Sequence, residues 1–130
     1  FVKDINVVES LAVVDKNQKK MITEHWPGRV TFVLNRAGKI KFYGQKKETI
    51  ALRMPKYRFL LSLLKKLDFP LAQTSANISG NQPITSAVEA IKEFNRKRIK
   101  PDLIIDGGRL KNKSSKIIDL TVKPFKVLRP

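Results

Sequence analysis

The stretch of this sequence best equipped for chemistry is Thr74-Ser75-Ala76-Asn77-Ile78-Ser79-Gly80. Its hydroxyls, amide and backbone N–H groups can grip phosphates or a carboxylate. It follows Pro70 to Thr74, an apolar run read as a short buried strand. Ligands of open α/β sheets collect beyond the C-terminal ends of strands. The same residue types also build plain turns, so spacing alone leaves both uses open. Arg53 closes another expected strand ahead of Met54-Pro55, where a guanidinium can hold a carboxylate through two parallel hydrogen bonds. Ser114-Ser115 precede a strand and can cap, turn or bind. Arg129 ends the last strand, within reach of a phosphate or simply solvated.

Other chemistries find little support. The chain has no cysteine, which excludes disulfides, thiolate metal sites and cysteine nucleophiles. His25 is the single histidine. It stands beside Trp26 at a helix end with no partner, which suits a structural or solvated role better than catalysis or metal binding. Asp106, ahead of Gly107-Gly108, reads as a strand-ending turn, and Asp119 alternates with apolar neighbours as a structural residue. Neither forms an acid–base pair. No Walker loop or dinucleotide fingerprint is present. The aromatic residues do not cluster into an RNA-stacking pattern.

The elements that must position these residues follow from apolar period and capping signals. Phe1 to Ile5 reads as a strand, Asn6 as the cap of a short helix, and Asp15 as the cap of a second helix stopped by Pro27-Gly28. Val30 to Leu34 is a nearly continuous apolar run of strand length. A turn near Arg36-Ala37-Gly38 leads to a hairpin partner at Ile40 to Tyr43, and Thr49 to Arg53 reads as another strand. Arg58 to Leu67 carries a helical stripe of Phe59, Leu60, Leu63, Leu64 and Leu67. Ser86-Ala87-Val88-Glu89 is a capping box opening another helix. Asp102 to Asp106, Lys116 to Leu120 and Phe125 to Leu128 complete the expected strands. Strands alternate with helices without repeats, which predicts an α/β class with a mixed sheet.

With 130 residues the chain is at most one domain, long enough to bury a core. No apolar run reaches membrane-spanning length and no signal-peptide pattern opens the chain, so a cytoplasmic location is expected. Charge is the strongest compositional signal: 27 Lys and Arg against 11 Asp and Glu give a formal +16. Such a surface attracts polyanions at long range. A lysine-rich composition that merely aids solubility has the same signature, and the basic residues are spread along the chain.

Several segments, in order, resemble the YrdC-like family. They are His25-Trp26-Pro27-Gly28 with Val30 to Leu34, then Ile50-Ala51-Leu52-Arg53-Met54-Pro55, then Phe69-Pro70-Leu71-Ala72 running into Thr74 to Gly80. Leu103 to Gly108, Ser115 with Ile117 to Leu120, and Val127-Leu128-Arg129-Pro130 follow. Together they cover essentially the whole chain. The resemblance implies an α/β fold: a YrdC-like twisted mixed sheet with flanking helices and a basic concave face, residues 1–130 forming a single domain. It implies condensation of threonine, bicarbonate and ATP into threonylcarbamoyl-adenylate, with Mg2+ and release of pyrophosphate. A downstream threonylcarbamoyl-transferase complex then modifies tRNA at the adenosine beside the anticodon.

Residue by residue, the resemblance assigns Thr49, Ser75, Asn77 and Arg129 to ATP. It assigns Arg53, Ser75 and Ser115 to threonine. No side chain takes a covalent or proton-transfer role and none binds a metal. Such a reaction can run on positioning and electrostatics alone. Arg29 departs from the family, which usually has a second proline after Trp-Pro-Gly. The family's Thr-x-Tyr-Gly strand region and Lys-x-Arg element find no match. The chain is therefore expected to be the C-terminal two-thirds of the domain, with weak or no synthase activity if it is the entire molecule. A non-catalytic module contacting tRNA or double-stranded RNA is the second reading. The related carbamoyl-transfer domain of hydrogenase maturation ranks last, because Ala76 stands where that family's loop tends to carry glycine.

Overall fold

The computed structural model describes residues 1–38, 48–95, 97–111 and 114–130. The expected hairpin strand at Ile40 to Tyr43 lies outside them. The chain divides into two compact units, residues 1–72 with 114–130 and residues 73–113.

In the first unit, α1 (Ile5–Leu11) and α2 (Lys16–His25) precede β1 (Val30–Asn35), β2 (Thr49–Leu52) and α3 (Arg58–Leu67), and the chain closes with β3 (Lys116–Asp119) and β4 (Lys126–Arg129). Phe1 to Ile5 is not a strand. Val2 N–H bonds the Arg53 carbonyl at 3.0 Å, and the helix begins at once because Asp4, not Asn6, caps it by accepting from Val7 N–H at 3.0 Å. Asp15 caps α2 as its sequence predicts. Its carboxylate accepts from Gln18 N–H at 2.8 Å, and the Gln18 side-chain oxygen accepts from Asp15 N–H at 2.9 Å. The Gln18 amide also donates to the Leu120 carbonyl at 2.8 Å, tying α2 to the chain just past β3. The stripe expected on α3 is present, but only Leu64 is buried outright.

The sheet runs β2-β1-β3-β4 and is mixed: β1 is antiparallel to β2 and parallel to β3, and β3 is antiparallel to β4. Side chains alternate faces along each strand. Phe32, Leu34, Ile50, Leu52 and Ile118 therefore share one face, where they form a core with Val8 and Leu11 of α1 and Ile22 of α2. Phe32 and Leu34 are fully buried, each worth about 1.5–3 kcal/mol relative to exposure. The opposite face carries Thr31, Val33, Thr49, Ala51 and Ile117, none of them fully buried.

Two expected strands are absent. Pro70 to Thr74 joins no ladder, although Leu71 exchanges two bonds with Phe1, its N–H donating to the Phe1 carbonyl at 3.0 Å and its carbonyl accepting from the Phe1 amino group at 2.6 Å. Asp102 to Asp106 is also unpaired, and Leu103 is 74% exposed. Both runs have strand composition, but no described strand lies alongside to accept their hydrogen bonds. The second unit holds one helix among its described residues, α4 (Ala87–Phe94). Ser86 caps it by accepting from Glu89 N–H at 3.3 Å. The return arm of the expected capping box is missing, because Glu89 instead accepts from Thr85 N–H at 3.2 Å and pairs with Arg109 at 2.9 Å.

Removing the Gln18 amide leaves the Leu120 carbonyl buried without its donor. Gln18→Ala is expected to lower the unfolding free energy in urea by about 1–3 kcal/mol, while exposed Asn17→Ala changes it by less than about 0.5 kcal/mol. In the second unit, the Thr85 N–H bond and the Arg109 guanidinium hold the Glu89 carboxyl below the usual carboxylate range. A depressed carboxyl stabilises the fold above its unfolded pKa, about 4.3 for glutamate, and that contribution vanishes as pH falls through the folded value. The difference in denaturation midpoint between wild type and Glu89→Gln should hold constant from pH 7 to about 5 and shrink below.

Candidate functional site

The register of the sheet gathers three of the proposed site residues at one end. Leu52 lies opposite Phe32 and Val30 beside Lys116, so Arg53 follows β2 at the same end at which Ser115 enters β3. Arg129 pairs with Ile117 on the outer strand. Arg53 and Ser115 are separated by two strand spacings, about 10 Å, a span suited to a small ligand.

Arg53 is held before any ligand arrives. Its Nε donates to the Gly28 carbonyl at 2.9 Å, and Gly28 N–H donates to the Met54 carbonyl at 2.9 Å. The Trp26-Pro27-Gly28 turn thereby clasps the end of β2. Trp26 anchors the turn through its indole N–H to the Val30 carbonyl at 2.6 Å. Gly28 is obligatory there, since a Cβ would stand 2.1 Å from the His25 carbonyl oxygen. With Nε engaged, the capacity of Arg53 to bind a carboxylate rests with its two Nη groups. Burial and then the positive charge of Arg29 disfavour the Arg53 guanidinium and lower its pKa.

Ser115 is buried and is the hub of a hydroxyl cluster. Its Oγ lies 2.9 Å from Thr31 Oγ1 and accepts from Arg129 Nη2 at 3.2 Å, while Arg129 Nε donates to the Ser115 carbonyl at 2.8 Å. Thr49 begins β2 opposite Asn35, at the far end of the sheet from this cluster. Its neighbours Asn35, Arg36, Gly38 and Glu48 line a hollow of about 330 Å³. The Nε of Arg36 is buried without a hydrogen-bond partner.

Ser75 and Asn77 belong to the second unit. Asn77 N–H donates to the Ser75 carbonyl at 3.1 Å, and the Asn77 side-chain NH2 donates to the carbonyls of Ile78 and Asn81, each at 3.0 Å. The amide clips its own loop and leaves its oxygen as the group able to meet a ligand. Ile84 N–H donates to the Ala76 carbonyl at 2.8 Å and closes the loop. Ala76, Ile84, Thr85, Ala90 and Gly108 border a pocket of about 150 Å³ within this unit.

The residues set aside as structural behave so. His25 Nδ1 lies 2.9 Å from the Met21 carbonyl, and its ring meets Phe32 edge-on at 5.9 Å. Asp119 accepts from Thr121 N–H and Oγ1 at 2.8 and 2.6 Å. Asp106 accepts from Gly108 N–H at 2.8 Å, a turn without the strand expected before it. Sequence reasoning passed over Thr31, Gly28 and Arg36. Thr31 was hidden inside an apolar strand run, and only its hydroxyl contact with Ser115 reveals it. Among the described residues, no group of three His, Asp or Glu side chains is arranged to hold a metal, and no helix is long and apolar enough to cross a membrane.

The Sua5–YciO–YrdC family model, described as telomere recombination, matches residues 1–130. The uncharacterized protein YciO of Escherichia coli is 31% identical over 121 residues, 92% of this chain and 58% of that protein. The threonylcarbamoyl-AMP synthase of Pyrococcus abyssi is 35% identical over 126 residues, 95% of this chain and 36% of the relative. The crystal structure of P. abyssi Sua5 complexed with L-threonine superposes with a TM-score of 0.87 at 33% identity, covering 99% of this chain and 38% of the other. The chain thus spans roughly a third to three-fifths of the proteins it matches. Matched along its whole length in sequence and in fold, this chain belongs to the Sua5–YciO–YrdC family.

Proposed function

We propose that this chain serves the synthesis of threonylcarbamoyl-adenylate from threonine, bicarbonate and ATP, for the threonylcarbamoyl-adenosine modification of tRNA, with residues 1–130 acting as one YrdC-like domain. The observation that carries the reading is Arg53, clasped by the Gly28 carbonyl and two strands from the Ser115–Thr31–Arg129 cluster. A fixed guanidinium without a carboxylate partner among the described residues, with hydroxyls about 10 Å away, suits a small amino acid bearing a carboxylate and a hydroxyl. Relatives named as threonylcarbamoyl-AMP synthases and the threonine-bound Sua5 structure support the same substrate.

In this scheme the threonine amine joins bicarbonate to form a carbamate with loss of water. A carbamate oxygen then attacks the α-phosphorus of ATP, and the bond to pyrophosphate breaks. Arg53 holds the threonine carboxylate on the sheet that also carries Ser115, and the family resemblance assigns Ser75 to threonine as well. Arg129 serves a nucleotide phosphate, and the family resemblance alone assigns Thr49, Ser75 and Asn77 to the nucleotide. Holding the two reactants in line and neutralising charge on the leaving group is the work asked of these side chains. Magnesium would enter with ATP, as the family resemblance implies, and would neutralise phosphate charge. The product would pass to a threonylcarbamoyl-transferase complex. The second reading, a non-catalytic RNA-binding module, draws on the formal charge of +16.

Pyrophosphate release in the presence of ATP, magnesium, bicarbonate and threonine tests the proposal. Release is expected to require threonine. Arg53→Ala should raise the threonine KM about 10- to 100-fold, the worth of a lost charge-assisted bond, and Arg53→Lys should recover only part of it. If titration calorimetry shows no threonine binding and no pyrophosphate appears, the synthesis reading fails for this chain and the RNA-binding module stands in its place.

A further inference from the structure

At the end of the sheet remote from Arg53 and Ser115, β1 closes with Asn35 and the chain runs on into Arg36. The Arg36 backbone is fixed from two sides. Its N–H donates to the Glu48 carbonyl at 2.8 Å, and Ala12, just past α1, bridges it on its other side. Ala37 N–H donates to the Leu11 carbonyl at 2.9 Å and Val13 N–H to the Asn35 carbonyl at 2.8 Å. Two strands and the end of a helix thus meet in one frame. Residues facing each other across such a ladder have Cβ atoms about 4.5–5.5 Å apart, a setting in which opposite charges normally pair.

Arg36 and Glu48 do not pair, and neither has an ion-pair partner among the described residues. The Arg36 Nε is instead buried without an acceptor. Folded proteins rarely leave a buried donor unmet, and an acceptor brought by a ligand recovers the bond. Arg36, Glu48 and Asn35 border the same hollow of about 330 Å³, to which Thr49 does not contribute. Its volume falls at the small end of ligand pockets, about 300–1,000 Å³. A cation, a carboxylate and an amide therefore share one space without satisfying one another. A ligand that answers them carries an anionic acceptor for Arg36 and a cationic donor for Glu48. Phosphates and polyanions, which the formal charge of +16 attracts, would meet Glu48 as a like charge. A carboxylate one carbon away from an ammonium meets both requirements. In the sequence Arg36 reads only as the start of a turn, and nothing in its spacing connects it with Glu48.

We propose that Arg36, Glu48 and Asn35 form a second small-molecule site that takes a free α-amino acid. Arg36 receives the carboxylate, Glu48 the ammonium, and the Asn35 amide a polar atom of the ligand. The inference does not rest on the synthesis reading, whose amino-acid site lies at the other end of the sheet. The test reads Arg36 directly. In the isotope-labelled full chain the Arg36 Nε–H magnetic resonance is assigned by its absence from Arg36→Lys, and each of the common α-amino acids is titrated in. At least one should move the resonance saturably. Acetate, methylamine, inorganic phosphate and ATP, each lacking one of the two charges or opposing Glu48, should bind at least about tenfold more weakly. Glu48→Gln, an exposed substitution, should weaken the amino acid about tenfold or more and leave acetate unaffected. A urea midpoint matching wild type establishes that this variant folds. A resonance that no amino acid moves, or an affinity unchanged in Glu48→Gln, would overturn the proposal. Phosphate or ATP bound as tightly as the amino acid would overturn it in favour of a plain anion site. A response that disappears in Arg53→Ala would overturn it by assigning the effect to the opposite end of the sheet.

Discussion

The parallel pairing of β1 with β3 is the constraint on which the rest of the structure depends. It joins Thr31 to Ser115 across a sequence separation of 84. Closing so long a loop costs entropy that grows only slowly with length, but the closure must precede any contact that rewards it. The reward is the seating of Ile118 beside Phe32, the docking of Gln18 on the Leu120 carbonyl, and the approach of Ser115 to Thr31. Without that ladder the first unit would lose the hydroxyl cluster and the inner wall of its core together.

Features written in local physics could be read from the sequence. The Asp15 cap, the stop at Pro27-Gly28, the stripe of α3 and the run Val30 to Leu34 all depend on neighbours within a turn or a strand, and all are present. Features that need a distant partner were harder. Pro70 to Thr74 and Asp102 to Asp106 have apolar strand composition, yet a strand exists only where a second one offers its hydrogen bonds, and none does so here. Asn6 lost the helix cap to Asp4 because the Asp4 carboxylate reaches Val7 N–H directly. Glu89 faced a comparable competition and left its capping role for Thr85 and Arg109.

The candidate site divides in the same way. Arg53, Ser115 and Arg129 could be named because motif positions carry their identities, and the fold then collects them at one end of a sheet. What could not be named were their supports. Gly28 reads as an ordinary turn glycine until the His25 carbonyl is seen occupying the space of its missing side chain. Thr31 reads as a polar interruption in a strand until Ser115 appears next to it. Positioning residues of this kind interact through the third dimension and leave little trace in spacing.

The clasp on Arg53 has a consequence for selectivity. A free arginine on a surface samples many rotamers and surrenders about 2 kcal/mol of side-chain entropy when it is immobilised. Here the Gly28 carbonyl has already removed part of that freedom during folding. A ligand meeting Arg53 therefore encounters a template rather than a tether: an anion that fits the fixed geometry loses little by being ordered, and one that is a bond length too long gains nothing from the side chain reaching out to it. Discrimination by ligand length is thus built into a single backbone carbonyl, at a position where only glycine leaves the turn its space.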